Sequence, residues 1–207
     1  MVRGHGLLFF WGLNMTASFE KFGFYVVDME YMAYLNSVDK EVYYDADKAY
    51  SHKPFLGVVV NLGKYEYLIP LTSAKQKHSK WPDSSKEAIL IYEVIEAGKE
   101  RLNHVYKPGN TSGSSKHIMG VLDIKKMIPV PATCCRYVDI SSETDLRYRY
   151  LLQKEYQFLQ KRKNDILSKV EAIYNSQKIS GIIHSFYCNY SALEDAYEQF
   201  LIHRLSK

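Results

Sequence analysis

Between Ser142 and Gln177 the chain carries neither glycine nor proline. Leu152, Tyr156, Leu159, Ile166, Val170 and Ile173 recur through this stretch at steps that stack side chains on one face of an α-helix. Glu155, Lys161, Arg162 and Lys163 lie between them. The stretch reads as one long amphipathic helix or two. A further helix is predicted after Asn189, with Ser191 as N-cap and Glu194 three residues on completing a capping box. The preceding half has a different period. Phe24 to Val27 reads as a short strand, and Asp28 as the N-cap of a helix carrying Met29, Met32 and Leu35. The apolar runs Phe55 to Leu62 and Tyr65 to Leu71 flank Gly63–Lys64, a hairpin turn. Glu87 to Ile95 is a third long strand, Gly109 to Ser115 a polar loop, and Gly120 to Pro131 a return to strand. Strands first and helices after predict an α+β fold. Its core is a compact antiparallel β-barrel-like sheet with packed helices and a helical C-terminal part.

The 207 residues suit a single domain, mainly β over 22–133 and mainly helical over 142–205. A formal charge of +4 permits an anionic partner without demanding one. The 18 tyrosines say more, since each offers a ring for stacking and a hydroxyl for hydrogen bonding. Cys134, Cys135 and Cys188 form neither a disulfide framework nor a zinc-ligand spacing, which fits a reducing cytoplasm and no metal. The run Gly6 to Leu13 is too short to span a bilayer. Met15 is read as the true start, with residues 1–14 a mis-assigned extension.

Chemistry concentrates in YEYLIPLTSAKQKHSKW, Tyr65 to Trp81. A strand opens there onto Thr72, Ser73, Lys75, Lys77, His78 and Lys80, which a simple turn does not require. Ser73 lacks the glycines of a nucleophile elbow, and the segment lacks those of a phosphate-binding loop. Hydroxyls and cations at a strand end suit a phosphodiester, whose developing charge they stabilise. In RNA the ribose 2′-hydroxyl supplies the nucleophile, so the protein needs only alignment, charge stabilisation and proton transfer. Taken singly, each residue has a plainer reading. TSAK at a strand end is commonplace, His78 reads as a surface histidine, the lysines as a solvated face, and Tyr31 as helix core.

Ordered pieces of the chain favour the chemical reading. FYVVDMEYMAYL, HKPFLGVVV, YLIPLTSAKQKH, LDIKKMIPV, KEYQFLQKRKNDI and NYSALEDAYEQF follow one another from Phe24 to Phe200. In this the chain resembles the ToxN/AbiQ family, the endoribonuclease toxins of type III toxin–antitoxin systems, which also act in phage abortive infection. The resemblance implies a fold related to the small barrel toxins of the MazF and Kid type, with added helices. It implies cleavage of RNA without metal or cofactor, leaving a 2′,3′-cyclic phosphate and a 5′-hydroxyl. It also implies an antitoxin RNA of repeated pseudoknots that closes with the toxin into a ring and blocks its active site. Carried over by position, Thr72, Ser73 and Lys75 match the hydroxyl–hydroxyl–lysine motif, with Lys75 assigned to the transition-state phosphate and to proton transfer. Tyr31 is assigned to stacking or orienting the substrate, and Lys53 to the RNA backbone. Tyr50 is a looser match, Ala74 stands where proline is common, and His78 occupies a position where the family carries histidine. A basic groove for the RNA is expected from Lys53, Lys77, His78 and Lys80 together with Lys161, Arg162 and Lys163. Two other functions use the same features: a non-catalytic RNA-binding module, and a protein-targeting toxin on the same barrel.

Overall fold

In a computed structural model, the structure describes residues 22–44 and 55–206. Strand β1, Gly23–Val27, leads into helix α1, Met29–Val38. The Asp28 carboxylate accepts from the Glu30 N–H at 2.8 Å, satisfying a donor that the first turn cannot pair internally. Tyr31, Met32 and Leu35 form the buried stripe of α1. Strands β2, Phe55–Leu62, and β3, Tyr65–Ser73, form the expected hairpin. Gly63 turns it at φ +66°, a conformation that glycine adopts without a Cβ clash.

Strand β3 organises the sheet. Along one edge it pairs with β2. Along the other it changes partner midway. Tyr67 and Leu68 pair with β7, Ile128–Pro129, whereas Leu71, Thr72 and Ser73 pair with β6, Ser114–Asp123. On this edge Pro70 sits at the hand-over, between the last β7 pair and the first β6 pair, while on the other edge it is paired with Phe55 of β2. Strand β4, Ala88–Glu96, covers the far edge of β6. Strand β5, Val105–Pro108, shares the near edge of β6 with β3. Strand β8, Cys135–Tyr137, closes on β1. The spatial order is β4-β6-β3-β2-β1-β8. Among the described residues no ladder joins the two ends, so the antiparallel sheet is open and not a closed barrel.

Three helices follow: α2, Leu146–Gln160, α3, Lys163–Ser180, and α4, Tyr190–Leu205. Leu152, Leu159, Ile166, Val170, Ile173, Leu193 and Phe200 join one core with Phe24, Leu68, Ile69, Leu122 and Ile128. A smaller cluster of Leu90, Val105, Ile118 and Val121 lies elsewhere on β4, β5 and β6. Both β4 and β6 thus bury side chains on each face, which accounts for the unbroken apolar run from Ala88 to Ile91.

Two local expectations are corrected. The N-cap of α4 is Asn189, whose Oδ1 accepts from the Ala192 N–H at 3.1 Å, and not Ser191. Glu194 closes no capping box. It is 4% exposed and accepts from the hydroxyls of Tyr67 and Tyr174 at 2.8 Å each, with Lys178 as its ion-pair partner. A carboxylate with three donors is worth more to the core than to a helix end already capped. The polar stretch read as a loop to Ser115 is also partly strand, because β6 begins at Ser114. No helix among the described residues is long and apolar enough to cross a membrane.

Candidate active site

A cleft of about 340 Å³ opens where β3 ends. The β3–β6 ladder sets its floor. Thr72 is paired with Val121, so both side chains leave the sheet on one face, and Asp123, two residues on, shares it. All three line the cleft, together with Ser73 and Lys75. Ser73 and Lys75 are exposed and Thr72 half-buried.

The chain then tightens into a 3-10 turn, Gln76–Lys80, that fixes how Lys75 is presented. The His78 N–H donates to the Lys75 carbonyl at 2.8 Å, and the Lys75 N–H donates to Nδ1 of His78 at 2.9 Å. An Nδ1 that accepts is unprotonated, so the neutral ring carries its proton on Nε2. His78 is not the surface residue that its sequence context suggests. It is 3% exposed and packs with its ring 4.6 Å from that of Trp81. Burial, then the charges of Lys77 and Lys75, push its pKa below the usual histidine value and favour the neutral, accepting form.

Partly buried ion pairs hold the surrounding frame. Lys107 donates to the Trp81 carbonyl at 2.6 Å and to Asp83 at 3.0 Å. Lys116, only 2% exposed, pairs with Asp83 and Asn110 beneath the loop. On the opposite wall Lys126 donates to the Glu41 carbonyl at 3.1 Å and pairs with its carboxylate. Asn36 donates to the Val42 carbonyl at 2.8 Å. These contacts fix the segment after α1, which brings Lys40, Tyr43 and Tyr44 to the cleft.

Thr72, Ser73, Lys75, Lys77 and His78 are therefore gathered in one place. Lys80 is exposed but does not line the cleft. Tyr31 is a core residue and not a cleft residue. It is fully buried, its hydroxyl donates to the Pro129 carbonyl at 2.7 Å, and its ring meets Phe200 edge-on at 4.9 Å. The stripe that seats α1 on the sheet takes this side chain inward. Lys161, Arg162 and Lys163 lie at the α2–α3 junction, off the cleft, where Arg162 stacks on Phe158 at 4.8 Å and Lys163 stands over Phe22. Tyr50 and Lys53 lie outside the described residues. The sequence reading did not single out Asp123, Lys126, Lys40, Trp81 or the tyrosine pair. The signal for Asp123 was a lone acid ending the apolar run of GVLD.

Behind the floor stands a second carboxyl. Glu155 of α2 faces Gly120, the residue paired with Ser73, so closely that a Cβ there would lie 2.7 Å from its Oε1. Glu155 is 7% exposed, and burial raises its pKa to about 7.

Residues 23–198 match the family described as Toxin ToxN, type III toxin-antitoxin system. The endoribonuclease ToxN of Pectobacterium atrosepticum is 27% identical over 181 residues, covering 86% of this chain and 92% of that protein. The endoribonuclease ToxN of Bacillus thuringiensis subsp. kurstaki is 25% identical over 186 residues, covering 86% and 83%. Among solved structures, one comes from a bacterial antiviral system regulated by a processed non-coding RNA. It superposes with a TM-score of 0.67 at 27% identity, covering 86% of this chain and 98% of the other. Another, from a type III system whose toxin is selectively inhibited by a non-coding RNA pseudoknot, gives 0.64 at 25% identity, covering 86% and 96%. The lactococcal AbiQ structure shares the fold, with a TM-score of 0.67 at 22% identity over 88% and 99%. This chain belongs to the ToxN toxin family of type III toxin–antitoxin systems.

Proposed function

We propose that this chain is an endoribonuclease toxin that cuts RNA through attack of a ribose 2′-hydroxyl on the adjacent phosphorus, leaving a 2′,3′-cyclic phosphate and a 5′-hydroxyl. The observation that carries this is the meeting of Thr72, Ser73 and Lys75 on one cleft, with the Lys75 main chain held from both sides by His78. The hydroxyls of Thr72 and Ser73 donate to the non-bridging phosphate oxygens and set the in-line geometry. The Lys75 ammonium stabilises the charge that builds on those oxygens and protonates the departing 5′-oxygen. Lys40 and Lys77 add positive charge at the cleft, and Tyr43 and Tyr44 offer rings on which unpaired bases stack.

Its inhibitor is an antitoxin RNA of repeated pseudoknots, which occupies the same cleft and closes with the toxin into a ring. Lys80, Lys161, Arg162 and Lys163 extend the contact to the backbone of that RNA, with Tyr50 and Lys53 as further contributors. Release of the toxin during phage infection arrests the cell from within its cytoplasm. The whole chain acts as one domain, and the open antiparallel sheet is a relative of the MazF and Kid barrels. The test is cleavage of cellular RNA by the purified protein in EDTA, with the product ends mapped. Cyclic phosphates and 5′-hydroxyls that disappear in Ser73→Ala and Lys75→Ala are expected. RNA binding without scission would leave a non-catalytic binding module.

A further inference from the structure

Among the described residues, the acidic side chains around the cleft other than Asp123 are matched by donors at hydrogen-bond distance. Asp83 takes Lys107 and Lys116. Glu87 takes the Tyr187 hydroxyl at 2.9 Å and Lys125 at 3.4 Å. Glu41 takes Lys126. Asp123 lies among these lysines, yet its closest ion-pair contact, to Lys125, is a long one. Its Oδ1 is buried and has no hydrogen-bond partner among the described residues. The Lys125 ammonium is 4.0 Å away, beyond hydrogen-bond reach. A buried carboxylate oxygen without a hydrogen bond is costly, and structural carboxylates normally avoid it. The rest of the side chain is open to the cleft, with 20% of its surface exposed, on the same face as Thr72. A carboxylate short of donors and open to a ligand is a carboxylate that gains by taking a proton.

We propose that Asp123 is the general base of the RNA cleavage, accepting the proton of the attacking 2′-hydroxyl; this presupposes the cleavage proposed above. The step balances within the cleft. The 2′-O–H bond breaks as its proton passes to the Asp123 carboxylate, and the 2′-oxygen bonds to phosphorus. The bond from phosphorus to the 5′-oxygen breaks, and that oxygen leaves with a proton from the Lys75 ammonium. The enzyme ends as Asp123 carboxylic acid and Lys75 amine, and water returns both to their starting states. The surroundings agree. Burial raises the Asp123 pKa above its ordinary value, Lys125, Lys126 and Lys77 oppose the rise, and Glu87 adds to it. Tyr187, Tyr190 and Cys188, which also feel this charge, are kept neutral by burial.

The test is Asp123→Asn under single-turnover conditions, with a short RNA containing one cut site, from pH 7 to 9. The wild type is expected to level off. The variant should be about 100-fold slower or more at pH 7 and then gain about tenfold per pH unit, as hydroxide replaces the lost base. Its affinity for the same RNA with a 2′-deoxy nucleotide at the cut site should stay within about threefold of the wild type. Asp123→Glu, which keeps a carboxylate, should recover part of the rate and the level profile. Asp123→Ser carries the same readings if the asparagine variant does not fold. A variant within threefold of the wild-type rate, or a slow one whose rate ignores pH, overturns the role of Asp123 while the proposed cleavage stands. A wild type that cuts no RNA overturns both.

Discussion

The main-chain N–H of Lys75 donates to Nδ1 of His78 at 2.9 Å, and the His78 N–H returns a bond to the Lys75 carbonyl at 2.8 Å. The lysine that would meet the phosphate is therefore gripped by its backbone while its side chain stays exposed. Position comes from the histidine and charge from the lysine, so the two residues fail in different ways when changed.

Lys75→Ala should cost about 10²–10³ in the cleavage rate at saturating RNA, the range for losing one preorganised donor to a developing oxyanion. The side chain is exposed and makes no ion pair among the described residues, so the melting temperature should hold. The same protein expressed in bacteria should no longer arrest growth. A folded Lys75→Ala protein that remains fully toxic would show that the site is elsewhere.

His78→Asn should keep more activity than His78→Ala, because the amide oxygen can take over the acceptor role of Nδ1. The pH dependence has a definite sign. The folded pKa of His78 lies below its ordinary value of 6.5. Its contribution is therefore complete above 6.5 and is lost as pH falls through the lowered folded value. Protonated Nδ1 can no longer accept, so the Lys75 turn loosens in acid. Cleavage rates from pH 7 down to 5, with histidine NMR on the same samples, would check this.

Glu155→Gln should make the protein more stable in mild alkali. The folded pKa of about 7 lies above the ordinary 4.5, so the folded state holds its proton longer than the unfolded chain. Stability from this group is greatest below 4.5, falls as pH rises, and reaches its full deficit above 7. A rise of that size corresponds to about 3 kcal/mol at pH 8. Denaturant melts at pH 5 and pH 8 would show the variant level where the wild type weakens. A wild type equally stable at both pH values would contradict the assignment.

Replacing Lys161, Arg162 and Lys163 by alanine should weaken binding of a cognate pseudoknot RNA without slowing the cutting of a short substrate, since none of them lines the cleft. Each lost phosphate contact should lower the slope of log affinity against log salt by about 1. A scrambled RNA of equal length that bound as tightly as the cognate repeat would argue against a specific antitoxin.

Strand–turn–strand arithmetic was legible where side chains alternate between core and solvent. The Gly63 hairpin and the α1 cap fell where local chemistry put them. Ser114 to His117 was not, because the polar residues there on β6 look like loop when no partner strand is in view. Glu194 misled for a related reason: a capping-box spacing is local, but its three donors come from β3 and α3. The cleft was half legible. Thr72, Ser73 and Lys75 fall within four consecutive positions and announce themselves. Asp123 is distant in sequence, and only the β6 ladder brings it beside them. Tyr31 matched a motif by position, but the periodicity of Met29, Met32 and Leu35 left it beside the stripe, and the structure turns it into the core.

The change of partner at Pro70 has a bearing on when the site comes into being. The hairpin that carries Thr72, Ser73 and Lys75 is short-range and can close as soon as β3 has left the ribosome. The floor and far wall of the cleft come from Val121, Asp123 and Lys126, synthesised later. A nascent chain that stops before β6 carries the motif with nothing to hold a phosphate against it. The second half of the chain therefore completes the cleft, and a chain ended before β6 lacks Val121, Asp123 and Lys126 however well its hairpin closes.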